Sequence, residues 1–144
     1  MYSDWLELAG FDLQTQRNRA MHDNEGIIVE FVAAWSQLDP ARLASYFTED
    51  GCYYNMPFQP VRGRKAIEQF IAEFTKTWTS TTWDIIQISS SKDVVFCERL
   101  DRTKSSQGDV DLHCVGVFLM RECKIHECRD YFDTNTYSRA MSAA

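Results

Sequence analysis

The sequence has no apolar run approaching the length of a membrane span, which excludes a transmembrane helix. It has no cluster of Lys and Arg either. Its 15 basic residues against 21 acidic ones leave a net charge of −6, which argues against a nucleic-acid surface. Asp4, Glu7 and Asp12 interrupt the apolar residues near the start and spoil a secretory signal. Cys52, Cys97, Cys114, Cys123 and Cys128 are odd in number and include no Cys-x-x-Cys pair. Free thiols in a reducing cytoplasm are therefore expected rather than a disulfide framework. His22, His113 and His126 are scattered, and Cys114, His126 and Cys128 lack ligand spacing, so neither a metal nor a cofactor is expected. No inward histidine stands where it would activate a cysteine, which argues against a nucleophilic triad. Repeats, linkers and low-complexity stretches are also missing, so one cytoplasmic domain is expected.

What is present is material for a core. Of 144 residues, 44% are hydrophobic and 13% aromatic, a composition that buries roughly two-thirds of the unfolded surface. Residues 1–22 read as an N-terminal extension. In it Trp5, Leu6, Leu8 and Phe11 form a short amphipathic turn laid on the body or on a partner subunit, or else a partly ordered tail. Residues 23–144 read as the single domain. A first helix is expected from Asp23 or Asn24 as N-cap, with Ile28, Phe31, Val32 and Trp35 at helical spacing. Asp39-Pro40 starts a second, whose apolar face is Leu43, Tyr46 and Phe47. A strand from Gly51 to about Met56 stops at Pro57 and Pro60. After Gly63-Arg64 a third helix carries the clearest stripe of the chain: Ile67, Phe70, Ile71, Phe74 and Trp78.

From Thr81 the period changes to that of strands, expected at 83–89, 94–102, 110–120 and 124–132, with hairpin loops at 89–93 and 104–108. Helices first and strands afterwards argue α+β. The expected construction is a strongly curved, mixed or antiparallel sheet wrapped around three N-terminal helices, with a cavity between them.

The strand alternation then shows an anomaly. Residues i and i+2 of a strand share a face, so Val95 and Cys97 share theirs with Arg99 and Asp101. By the same rule Asp130 lies with Cys128 and Phe132, and Tyr53 with Asn55. Ionised groups facing a core are costly unless they are paired, hydrogen-bonded or used. Leu112, Cys114 and Phe132 from the strands, with Val32, Trp35, Phe74 and Trp78 from the helices, complete an apolar chamber around five polar groups. Such a chamber is the usual make-up of a small-molecule site. Two carboxylates beside one arginine can divide an acid and a base role, sharing one proton. That is the requirement for adding water across a polarised C–O bond. Glu98, His113, Tyr131 and Asp133 alternate away from this face.

Tyr53-x-Asn55-Met56-Pro57, Glu98-Arg99-x-Asp101, Gly116-Val117-Phe118 and Arg129-Asp130-Tyr131-Phe132-Asp133, with the Gly63-Arg64 turn, closely resemble the limonene-1,2-epoxide hydrolase family over about residues 24–133. The resemblance implies a nuclear transport factor 2-like cone, a homodimer, and one-step hydrolysis of a small or medium apolar epoxide to a vicinal diol without a covalent ester. It implies Asp101 as the acid, Asp130 as the base, Tyr53 and Asn55 as holders of the water, and Arg99 as the bridge between the aspartates. Cys128 stands where members often carry tryptophan, and Trp35 and Trp78 replace smaller apolar residues, so a reshaped pocket is expected. Two alternatives accompany this reading: an epoxide-opening cyclase on the same site, and a non-catalytic binding or dimerisation module of this fold.

Overall fold

The computed structural model describes residues 3–142, and within residues 3–22 the side chains of Leu13, Thr15, Gln16, Asn18 and Arg19. The chain begins with helix α1 (Ser3–Ala34), a 3-10 turn (Trp35–Gln37) and helix α2 (Pro40–Ser45). Strands β1 (Phe47–Asn55) and β2 (Val61–Arg62) and helix α3 (Arg64–Phe74) follow. Four long strands come next: β3 (Trp78–Ser91), β4 (Val94–Ser105), β5 (Gly108–Arg121) and β6 (Lys124–Phe132). Helix α4 (Thr134–Met141) closes the description. The strands form one six-stranded mixed sheet in the order β2-β1-β6-β5-β4-β3. All neighbours pair antiparallel except β1 and β6, which run parallel. This is the α+β order expected from the sequence.

Helix α1 does not start at Asp23–Asn24. It runs through that point from Ser3, and Asn24 is buried rather than capping. Residues 3–22 contain no proline and include three Leu, two Gln, two Arg and two Ala, so helix propensity continues across the expected boundary. The placement of the Trp5, Leu6, Leu8 and Phe11 side chains lies outside the described residues. The α1 stripe is as read, with Ile28, Phe31 and Val32 almost fully buried, and Trp35 in the turn behind it.

Helix α2 starts as expected, with Asp39 accepting the Arg42 N–H at 3.1 Å and Pro40 in the first turn. It stops at Ser45, so Phe47 opens β1 instead of closing a helical stripe. Helix α3 ends at Phe74, where the Thr75 hydroxyl donates to the Ile71 carbonyl at 2.8 Å. Trp78, expected at the end of that helix, is the first residue of β3. The threonines that follow it favour an extended chain. Ile28, Phe31, Phe47, Phe118 and Ile125 pack with Ile67 and Ile71 between helices and sheet, and Phe31 meets Tyr46, Phe47 and Phe118 edge to face. All five cysteines are free, and four are buried. No described helix is long and apolar enough to cross a membrane.

Candidate active site

The sheet register brings the inward residues of four strands into neighbouring rows. Trp83, Asp101 and Leu112 lie side by side across β3, β4 and β5, and Arg99, Cys114 and Phe132 across β4, β5 and β6. Cys97, Gly116, Asp130 and Asn55 form the next row, reaching β1. Arg99 and Asp130 are thus separated by a whole strand and one diagonal step. The guanidinium bridges that gap over Gly116. A Cβ there would stand 2.7 Å from Arg99 Nη1 and 2.7 Å from the Phe118 ring, so only glycine leaves the crossing open.

Arg99 is 1% exposed and binds both carboxylates. Its Nε donates to Asp101 Oδ1 and Oδ2 at 2.8 and 3.1 Å. Its Nη1 and Nη2 donate to Asp130 Oδ1 and Oδ2 at 3.1 and 2.9 Å, a bidentate pair. Tyr53 donates its hydroxyl to Asp130 Oδ2 at 3.1 Å, and the Cys128 thiol makes a long contact with Oδ1 at 3.8 Å. Trp83 covers Arg99 from the other side, its ring 4.2 Å from the guanidinium carbon. Trp83 itself is stacked on Trp35 at 4.2 Å and donates its indole N–H to Thr81.

Burial raises the Asp101 carboxyl from 3.8 to about 6 against the lowering effect of Arg99, with the Asp130 charge adding to the rise. Asp101 is therefore a group that keeps its proton into the weakly acidic range. For Arg99, burial opposes the charge, but the two carboxylates outweigh it and hold the guanidinium above its ordinary value. Burial, then the Asp130 charge, pushes Tyr53 well up, which keeps it a donor. Burial likewise raises the Cys97 thiol to about 11 and pushes Cys114 and Cys128 up, so these sulfurs stay protonated.

Tyr53, Asn55, Arg99, Asp101 and Asp130 line an inner cavity of about 30 Å3, together with Phe74, Trp78, Trp83, Leu112, Cys114 and Phe132. It has room for roughly two water molecules. An outer cavity of about 270 Å3 adjoins it, and Tyr53, Asn55, Phe74, Phe132 and Tyr137 line both. All five polar residues expected from the sequence meet at the inner cavity, as do Phe74, Trp78, Leu112, Cys114 and Phe132. Val32 and Trp35 do not line it. Both are core residues, 2% and 0% exposed, with Trp35 held one layer back beneath Trp83. Four lining residues were not anticipated: Trp83, Thr103, Val110 and Tyr137. Thr103 follows Asp101 by two and Val110 precedes Leu112 by two, so alternation carried a signal for both. Tyr137 lies on α4, whose start is marked by Asp133 accepting from the Asn135 N–H and the Thr136 hydroxyl. Glu98, His113, Tyr131 and Asp133 are exposed, on the opposite side as expected. Among the described residues no group of three or more His, Cys, Asp or Glu is placed to hold a metal ion.

Residues 28–128 match the family model described as a SnoaL-like domain. Among solved structures, an LEH-like epoxide hydrolase of M. tuberculosis is similar at 20% identity over 85% of this chain and 91% of its own, with a TM-score of 0.74. SalBIII, described as an epoxide hydrolase/cyclase-like enzyme with a role in pyran ring formation in the polyether salinomycin, is 17% identical over 80% of this chain and 94% of its own, at 0.70. A protein of ketosteroid isomerase-like fold from Catenulispora acidiphila DSM 44928, in complex with trimethylamine, is 19% identical over 80% and 91%, at 0.74. At these identities the likeness is one of fold.

Proposed function

The chain belongs to the SnoaL-like family, and from that premise we propose that it is a cofactor-independent epoxide hydrolase adding water to an apolar epoxide in one step. The observation that carries the reading is the Asp101–Arg99–Asp130 bridge, buried beside a small cavity that adjoins a larger apolar one. Asp101 holds the acidic proton and Asp130 is the carboxylate base. Water oxygen bonds to one ring carbon while the C–O bond to that carbon breaks. Asp101 gives its proton to the departing oxygen as Asp130 takes one from the water. An alkoxide is a poor leaving group, so protonation during ring opening removes most of the barrier due to charge. The cycle leaves Asp101 ionised and Asp130 protonated, and one proton returned from Asp130 to Asp101 through solvent resets the pair. Tyr53, with its proton committed to Asp130, keeps its lone pairs for a water, and Asn55 stands beside it at the boundary of the two cavities.

A second reading is favoured by the likeness to SalBIII: the same acid and base open an epoxide with a hydroxyl of the substrate itself. Product mass separates the two. Incubation with terpene, cyclic, alkyl and aryl epoxides is expected to give a product heavier than its substrate by one water. A product of unchanged mass supports the cyclase, and no conversion of any member supports a binding module instead.

A further inference from the structure

The two joined cavities differ in kind, and their difference selects among epoxides. The inner one contains every group that the hydrolysis uses, yet has room for roughly two waters. One place belongs to the attacking water. Beside that water it leaves space for the small CH2–O edge of an oxirane and far less for substituents on both ring carbons, with Trp78, Trp83 and Leu112 in its walls. The rest of the substrate must leave through the neck formed by Tyr53, Asn55, Phe74, Phe132 and Tyr137.

Beyond the neck the outer cavity adds Phe58 and Phe70 to the shared aromatic rings, with Gln59, Thr134 and Ser138 as its remaining lining. Phe70 lies parallel to Phe74 at 5.6 Å, and Phe74 parallel to Tyr137 at 5.6 Å, so one wall is a continuous stack of rings. Among the described residues no charged one lines this cavity. A carboxylate or phosphate carried here would be desolvated without a partner. At about 270 Å3 the outer cavity is about nine times the inner one, room for on the order of twenty water-sized groups, so a body of about ten or more heavy atoms fits.

We infer that the outer cavity is the binding site for the uncharged apolar body of a terminal epoxide, whose unsubstituted CH2 end enters the inner cavity. This rests on the hydrolase reading for its chemistry, but not for its binding geometry.

The test compares kcat/KM for 1,2-epoxypropane, 1,2-epoxyhexane and cyclohexene oxide, the last two matched in carbon number. 1,2-Epoxyhexane is expected to exceed 1,2-epoxypropane by about tenfold or more, since each added methylene gains a few-fold from burial. It should exceed cyclohexene oxide by about tenfold as well. Phe70→Ala, or Phe58→Ala should the first variant fail to fold, is expected to flatten the chain-length preference. Parity of cyclohexene oxide with 1,2-epoxyhexane, or of the two terminal epoxides with each other, overturns the inference. A second arm needs no chemistry: binding of propane-1,2-diol and hexane-1,2-diol, followed by tryptophan fluorescence, since Trp78 and Trp83 line the inner cavity. Tighter binding of the longer diol without turnover of any epoxide supports the binding site and removes the hydrolase reading. Equal diol binding with turnover of epoxides removes the binding site and keeps the hydrolase.

Discussion

Asp101 and Asp130 are chemically the same residue, but their surroundings differ. Asp101 takes one arginine nitrogen and is raised to about 6, whereas Asp130 takes two arginine nitrogens and the Tyr53 hydroxyl. Asp101→Asn and Asp130→Asn are each expected to lower kcat by roughly a hundredfold or more while the fold persists, the usual size of an acid or base contribution. A folded variant keeping more than about a tenth of the wild-type rate removes the assigned role. Because the acid must be protonated, wild-type kcat/KM should fall as pH rises above about 6. The folded state also binds the Asp101 proton more tightly than the unfolded chain does. Its contribution to stability is therefore full below about pH 4 and is lost as pH rises through about 6. A kcat/KM that instead rises through that window contradicts Asp101 as the acid. Arg99 has a structural share as well. Arg99→Ala leaves two buried carboxylates without their cation, and a loss of about 3 kcal/mol is expected by thermal or denaturant unfolding, together with the activity. An unchanged midpoint would mean that the carboxylates do not depend on it. The polar residues were legible because strand alternation exposes a charged residue on an apolar face. Trp83 was not, since its place beside Asp101 depends on the β3–β4 register, which no local pattern encodes.

At the scale of elements, the strands β4 to β6 were read nearly to their ends, because alternation persists over nine residues or more. The short elements were not. β2 has two residues and no period to detect, and α4 is amphipathic but brief and fully without buried residues. Trp78 fell between two periods: its spacing from Phe74 continues the α3 stripe, yet Thr75 ends the helix first. Its indole now donates to the Tyr137 hydroxyl at 3.3 Å and packs on Phe74, tying the start of β3 to α4 across the inner cavity. Trp78→Ala is therefore expected to enlarge the inner cavity and raise the rate on cyclohexene oxide relative to 1,2-epoxyhexane. Identical relative rates in variant and wild type would place Trp78 in ordinary packing.

At the scale of the molecule, the site lies on one face of the sheet and the opposite face is left partly apolar. Phe96, Val115 and Tyr131 are each 40–43% exposed, and Val115 pairs directly with Tyr131 across β5 and β6. Phe96 lies opposite Val117 on the neighbouring strand pair. Exposed apolar side chains gathered on one face of a sheet are typical of an interface. A second copy is the occupant expected there, and sedimentation should give twice the 16.7 kDa chain mass. Val115→Lys with Tyr131→Lys should return the monomer, whereas a wild type that sediments as one chain contradicts the dimer.

On the proposed route water itself attacks the epoxide carbon, with no ester formed on an aspartate. Arg99 beside both carboxylates blunts either one as a nucleophile, and among the described residues no histidine lines the inner cavity to activate a second water for ester cleavage. A single turnover in heavy-oxygen water with enzyme in excess decides between the routes. Direct attack places the heavy oxygen in the first diol released and leaves the protein unlabelled. An unlabelled first diol, with the heavy oxygen recovered in the peptide carrying Asp101 or Asp130, would contradict it.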